Sequence, residues 1–312
     1  MKLLNKRRLM RPADALLPLG LLVASLFPSR SYYTISLAVS LLAVRLAGLS
    51  SCTALRAAFA TQPSIRKVCG SVRAALFMQV LGALIVGIVA FAIMGPAFSG
   101  EHIPFLIASG LMLNVEHCFY EYLYATGDGR SASLSRAITA MLVVAGILMC
   151  NPDNPGSNEL WLLGASGISA LVAAVIGIAI GSPLKAKPNA QVVRCAPRAM
   201  VYTAAPLLFA FSPWQTETFT HIFAGWVLYE LCKTPFRRSA MESRPMNRAL
   251  LIVFVACAAA FGVLRIWNMQ VFVQNLLPTR SLYYDIIATL FALAVSAALS
   301  FTLFGNIRRS EI

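Results

Sequence analysis

Long apolar runs alternate with short polar and basic connectors along the whole chain. Each run is about 20 residues long, the length that an α-helix needs to cross a bilayer. The runs lie at about 12–28, 32–51, 75–97, 104–126, 134–150, 159–181, 197–214, 219–235, 248–268 and 282–304. This pattern predicts an all-α, polytopic membrane protein with about ten transmembrane helices.

The most polar connector between apolar runs is 182–197, which contains Pro183, Pro188 and Pro197. Prolines at this density interrupt helices. The connector therefore predicts two parts, a six-helix N-terminal lobe at 1–185 and a four-helix C-terminal part at 186–312.

Composition supports a lipid environment. Apolar residues make up 58% of the chain and charged residues only 12%, whereas a soluble domain carries about 25% charged residues. The net charge of +14 does not indicate nucleic acid, because no basic stripe with interleaved aromatic residues is present. The bilayer is therefore the expected partner, and no nucleic acid is expected.

The basic residues are concentrated in alternate connectors. Those connectors hold 22 of the 26 Lys and Arg residues, Arg56 and Arg136 among them, and the intervening ones hold only Arg30, Arg265 and Arg280. Basic residues accumulate in cytoplasmic loops. We therefore expect a multi-pass protein of the plasma membrane with both termini in the cytoplasm.

The predicted helix 104–126 carries Glu116, His117 and Glu121 in an otherwise apolar and aromatic run. Ionisable residues in a spanning segment are costly and often functional. His117 and Glu121 are four residues apart and share one helix face. Two interpretations stay open: a proton or cation relay or a polar anchor for substrate, and a satisfied structural cluster with Glu121 near the cytoplasmic end and partly hydrated.

Three further polar residues in apolar runs complete the candidate ion or substrate pathway: Arg45, Asn114 and Glu230. Arg45 lies toward the inner end of the second predicted helix, where it either extends to the membrane interface or balances a carboxylate of helix 104–126. Glu230 follows Tyr229 as Glu121 follows Tyr120. Asp14, at the start of the first run, is expected at the interface.

Catalytic and metal-binding motifs are not recognisable in the sequence. The three histidines lie on separate predicted segments. We therefore expect neither an enzyme nor a bound cofactor or metal.

Three segments carry a family resemblance: AFATQPSIRKVCGSVRAALF at 58–77, YLYATGDGRSAS at 122–133 and GASGISALVAAVIG at 164–177. They resemble the basic loop before helix three, the Gly-Asp loop after helix four and the small-residue-rich sixth helix of the multidrug and toxic-compound extrusion family, within the wider polysaccharide and lipid flippase superfamily. That family has two six-helix lobes, so this chain resembles a shortened, divergent member.

The resemblance implies export of an amphipathic or cationic small molecule, or flipping of a lipid-linked solute, coupled to H⁺ or Na⁺. Chain length and helix count also suit the ten-helix drug and metabolite exporters. The alternative from a different class is a non-transporting membrane scaffold or accessory subunit. Few charges within the apolar runs and short loops fit that alternative as well.

The topology is testable by labelling single cysteines on a cysteine-free background. A cysteine placed near 190 is expected to react with a membrane-impermeant maleimide only after the membrane is permeabilised, because 182–197 is predicted to be cytoplasmic. Labelling of that position in intact cells would contradict the predicted orientation.

Overall fold

A computed structural model describes residues 12–60, 65–95, 103–151, 158–181 and 183–196, together with the single positions 199, 200, 203, 223, 226, 227 and 230. This part of the chain is helical and holds no strand. Its helices are α1 (Leu16–Ser25), α2 (Ser31–Ala47), α3 (Ser51–Ala60), α4 (Ile65–Met94), α5 (Ile103–Ala125), α6 (Gly129–Met149) and α7 (Asn158–Ile180).

Four of these helices, α4 to α7, are long and apolar enough to cross a membrane, whereas α1 and α2 are shorter apolar helices. The helices α5 and α7 agree with the predicted runs to within one residue at each end. The first run, by contrast, folds as a 3₁₀ turn, Pro12–Ala15, followed by the ten-residue α1. The runs from 197 onward lie outside the described residues except at isolated positions.

Helix α5 is the centre of the bundle, since it packs against α2, α3, α4, α6 and α7. Its surroundings differ sharply from those of α4. The most apolar 18-residue window of α5 is 61% buried, whereas that of α4 is only 11% buried. Large side chains of α4 such as Leu84, Ile88 and Phe91 are therefore exposed, as apolar residues facing lipid would be.

Helices α2 and α3 form one interrupted helix that runs through the bundle. Both continue in the direction of α5, since Ser40 bonds the carbonyl of Leu106 and Arg56 bonds Glu121. From the start of α2 to the end of α3, residues 31–60, the interrupted helix contains 30 residues, as does the antiparallel helix α4. The expectation of a basic loop over 58–77 is wrong, because 51–60 is α3 and α4 already begins at Ile65.

The break itself lies at 48–50. Helix α2 ends in a Schellman motif, in which Ser50 N–H bonds Arg45 C=O at 2.7 Å and Leu49 N–H bonds Leu46 C=O at 2.9 Å. Such an end usually has glycine at the residue with positive φ. Here Leu49 has φ 52° and Ser50 has φ 48°, a conformation that costs a non-glycine residue about 1–2 kcal/mol.

The break is at the middle of the bundle along the helix direction. Asn114, the central residue of α5, bonds the Leu41 carbonyl at 3.0 Å. Gln79, at the midpoint of α4, bonds the Gly48 carbonyl at 3.3 Å and the Ser51 hydroxyl at 2.8 Å. At 1.5 Å per residue, Asn114 is about 16 Å from either end of α5.

The turn between α5 and α6 contains Gly127-Asp128-Gly129, within the segment 122–133 that resembles a Gly-Asp loop. Gly127 has φ +93°, which glycine adopts without strain. The Asp128 carboxylate caps α6 by accepting a hydrogen bond from the Ser131 backbone N–H at 3.0 Å. Hydrogen bonding by the Ser131 side chain, followed by this backbone bond, favours the ionised form and lowers the pKa of Asp128 below its usual range.

The segment 183–196 packs against the end of the bundle at which α4 and α6 begin, here termed the basic end. Asn189 N–H bonds the Gly70 carbonyl at 3.1 Å, and Arg73 bonds the Ala186 carbonyl at 3.0 Å. Val192 and Cys195 are buried against apolar residues of α3 and α4. The connector therefore covers the basic end of α4.

Two glycines of α4 provide a matched test of the contact between α4 and the break. A Cβ at Gly82 would lie 2.7 Å from the Val44 carbonyl oxygen, whereas a Cβ at Gly87 meets none of the described atoms within 4 Å. Gly82→Ala is expected to destabilise the protein by about 1–3 kcal/mol through overpacking. Gly87→Ala should be neutral or stabilising by up to about 1 kcal/mol, because alanine is the better helix former.

Thermal unfolding of both variants in one detergent, with the wild type, checks this prediction. A Gly82→Ala protein as stable as Gly87→Ala would show that α4 does not pass as close to the break as described.

Candidate functional site

The last turns of α5 bury all three of the ionisable residues that the sequence placed there. Glu116 is fully buried, His117 is 7% exposed and Glu121 is only 1% exposed. The interpretation of Glu121 as a partly hydrated residue near the helix end is therefore wrong. Each of these side chains contacts a polar residue from another helix.

Glu116 forms an ion pair with Arg136 of α6, from Arg136 Nη1 to Glu116 Oε2. The guanidinium also lies over the Tyr120 ring, 5.2 Å from its centroid. Arg136 is 3% exposed, so counting it among the loop charges was wrong. The cause is that α6 begins at Gly129 instead of 134, which places Arg136 two turns inside the helix.

Glu121 and Asp14 share one guanidinium, that of Arg56 in α3. Arg56 Nε bonds Glu121 Oε1 at 3.1 Å, and Arg56 Nη1 and Nη2 bond the two Asp14 oxygens at 3.0 Å each. The Tyr120 hydroxyl donates a further bond to Asp14 Oδ1 at 2.6 Å. Asp14 is buried, because the 3₁₀ turn folds it onto Arg56.

His117 lies between these two groups. Its Nδ1 is 3.3 Å from Arg136 Nη2, and its Nε2 is 3.9 Å from Glu121 Oε1. Arginine has no acceptor, so Nδ1 must accept this bond and a neutral ring carries its proton on Nε2. The imidazole therefore joins the Glu116–Arg136 pair to the Asp14–Arg56–Glu121 group. The predicted His117–Glu121 neighbourhood is present, although Arg56 is the closer partner of Glu121.

Arg45 and Asn114 form a separate contact beside the break. Arg45 Nε bonds Asn114 Oδ1 at 2.7 Å, and Cys52 Sγ at the start of α3 is 3.7 Å from the same oxygen. Arg45 is buried at the level of the α5 midpoint, so it does not extend to an interface. Its direct partner is a neutral amide rather than a carboxylate.

Several buried polar atoms in and around this region have no hydrogen-bond partner within the part of the chain that the structure describes. They include Arg45 Nη2, Ser50 Oγ, Gln79 Oε1, Glu116 Oε1, Ser135 Oγ and Arg136 Nε. An unsatisfied buried polar group costs about 1–3 kcal/mol. Such groups therefore mark places where water, an ion or a solute would be stabilised.

Glu230 is also brought to this bundle. It accepts a bond of 3.3 Å from Trp226 Nε1 and lies within electrostatic range of Arg136. Phe223 and Trp226, one helical turn apart, are buried in the core with residues of α1 and α2. The predicted pathway residue Glu230 thus lies near the others, and the described positions 223, 226, 227 and 230 are helical.

The candidate site is therefore a polar network around α5. The sequence identified the α5 residues but missed Asp14, Arg56 and Arg136, whose charges it assigned to interfaces and loops. Within the described residues, no group of three His, Cys, Asp or Glu side chains could hold a metal ion.

No family model, curated protein or solved structure matches the chain. The resemblance to the extrusion and flippase families therefore stays a prediction from the sequence.

The Glu116–Arg136 pair allows a double-mutant test. Arg136→Gln is expected to cost about 3–5 kcal/mol, because it leaves the Glu116 carboxylate buried without its counter-ion. Adding Glu116→Gln should recover most of that loss, since two neutral amides replace the pair. Thermal unfolding and the yield of monodisperse protein in detergent measure both effects. If the loss of stability in the double variant equals the sum of the losses in Arg136→Gln and Glu116→Gln, a direct pair is excluded.

Proposed function

We propose that this protein is a membrane transporter whose pathway runs along α5 and the broken helix α2–α3. The observation that carries this proposal is the interruption between α2 and α3 at 48–50, at the level of the α5 midpoint and beside a buried guanidinium. Non-helical backbone at membrane depth is tolerated only where protein buries it or where it lines a water-filled path. Secondary transporters typically bind their substrates and ions at such interrupted helices.

The charges around α5 supply a means of coupling to an ion. Asp14 and Glu121 both bond the guanidinium of Arg56. A proton or Na⁺ entering beside Glu121 would compete with Arg56 for the Glu121 carboxylate. His117 contacts both charge groups. Protonating its Nδ1 would therefore deprive Arg136 of this acceptor, and the charged imidazole would be attracted more strongly to Glu121.

The proposed activity is cation-coupled export or flipping of an amphipathic small molecule or lipid-linked solute across the plasma membrane. The apolar and aromatic surroundings of the network suit a solute with both polar and apolar parts. The expected coupling ion is H⁺ or Na⁺.

A second candidate is a non-transporting scaffold or accessory subunit. The observation in its favour is that the carboxylates of Asp14, Glu116 and Glu121 all contact guanidinium groups. Such pairs also occur in purely structural cores. This candidate predicts that pure protein in vesicles moves neither a cationic dye nor a fluorescent lipid.

Glu121→Gln separates the two candidates. The amide keeps the size of the side chain but does not titrate, and Arg56 keeps Asp14 as its partner. In proteoliposomes with an acidic lumen, the wild type should accumulate ethidium or translocate a fluorescent phospholipid. The variant should lose the part of that activity that depends on the pH gradient. Its free energy of unfolding should fall by less than about 3–5 kcal/mol, the cost of leaving a buried charge without its partner.

Glu159→Gln is the matched control. Glu159 is another buried carboxylate, but it lies in the first turn of α7, at the opposite end of the bundle. This variant should transport like the wild type. Gradient-dependent transport that persists at full rate in Glu121→Gln would remove Glu121 from the mechanism, and inactivity of the wild type toward both probes would favour the scaffold.

A further inference from the structure

The break between α2 and α3 places the start of a helix inside the bundle. Helix α3 has ten residues and begins at Ser51, at the level of the α5 midpoint. The start of a helix carries a partial positive charge, but here the N–H groups of Ser51 and Thr53 already bond the carbonyls of Gly48 and Ser50, at 3.1 and 3.0 Å. The start of α3 therefore adds a favourable field for an anion and does not by itself make a site.

Arg45 is the independent observation that points to a ligand. Its side chain is more than nine-tenths buried, and Nη2 has no hydrogen-bond partner among the described residues. Its Nε is held by the neutral amide of Asn114. By comparison, Arg56 and Arg136 each contact a carboxylate directly. Glu116 is within electrostatic range of Arg45 but is itself paired with Arg136.

The guanidinium of Arg45 lies beside the first turn of α3. The Asn114 oxygen that it binds at 2.7 Å is also 3.7 Å from Cys52 Sγ, the second residue of α3. At the junction, Ser50 N–H bonds the Arg45 carbonyl at 2.7 Å. The Ser50 hydroxyl, directly before α3, is buried and has no described partner. A donor of Arg45 and the hydroxyl of Ser50, both buried and without a partner among the described residues, thus lie at the junction of α2 and α3.

We propose that Arg45, Ser50 and the start of α3 form a binding site for an oxyanion, a phosphate or carboxylate group carried by the transported solute. This inference rests on the proposed function and narrows its substrate class. Guanidinium groups bind such oxyanions through paired hydrogen bonds, and the positive end of the α3 dipole favours an anion. An anion would neutralise a buried charge that a neutral amide only solvates, so the site selects anionic over cationic head groups.

The test uses the full-length protein in a neutral detergent. Thermal unfolding is compared in sodium phosphate and in sodium chloride of equal ionic strength. Dihexanoyl phosphatidic acid, with dihexanoyl phosphatidylcholine as its zwitterionic counterpart, then distinguishes a lipid phosphate from free phosphate. A shift of the unfolding midpoint that rises with ligand concentration reports binding to the folded state.

Three variants identify the site. Arg45→Gln removes the charge and is expected to weaken phosphate binding by about 10- to 100-fold, the range for a lost charge-assisted hydrogen bond. Asn114→Asp keeps Arg45 but gives it a carboxylate partner, so it should abolish the anion-dependent shift while remaining folded. Arg66→Gln removes the same charge from an exposed position of α4 and should respond like the wild type.

The inference is supported if phosphate or phosphatidic acid stabilises the wild type and Arg66→Gln but neither site variant. It is overturned if the wild type shows no shift beyond that in chloride, as expected if water satisfies Arg45. It is also overturned if Asn114→Asp responds to phosphate like the wild type, because Arg45 would then be a structural residue. If Arg45→Gln does not fold, the response of Asn114→Asp alone tests the inference.

Transport assays keep this result separate from the proposed function. Wild-type vesicles that move both anionic and cationic probes, with no change in preference in Asn114→Asp, would retain the transporter and reject the oxyanion site. Anion-dependent stabilisation in a protein that moves no probe would retain the site and reject transport.

Discussion

The rest of the described structure depends on the cost of burying charge around α5. An ion transferred from water to a protein interior loses several kcal/mol of solvation unless a partner restores it. Glu116 and Glu121 lie on one buried helix, and their guanidinium partners come from α6 and α3. Meeting both partners at once fixes the rotation of α5 about its axis and explains why α5 contacts so many neighbours.

The break in α2–α3 follows from the same constraint. Arg45 lies before the break and Arg56 after it, and the two bind α5 at Asn114 and Glu121. Two consecutive residues with positive φ lie between them. Strained backbone of this kind persists only where its surroundings hold it, and here Gln79 and the two anchored arginines do so.

Much of the fold could be predicted from the order of apolar and polar residues alone. Helices α5 and α7 and the turn at Asp128 follow from hydropathy and from glycine placement, because lipid and core both exclude long polar segments. The three ionisable residues of α5 were visible for the same reason. The helical period that places His117 and Glu121 on one face is likewise local, since it depends only on residues one turn apart.

Tertiary structure alone decided how the charges are used. Arg56 and Arg136 read as loop residues, because an unpaired guanidinium does not stay in an apolar run, and their partners Glu121 and Glu116 lie 65 and 20 positions away in sequence. The break was hidden because Leu49 carries no preference for positive φ. Hydropathy scores each residue separately by its preference for water or lipid. The ion pairs that stabilise a buried charge form only once distant helices have packed.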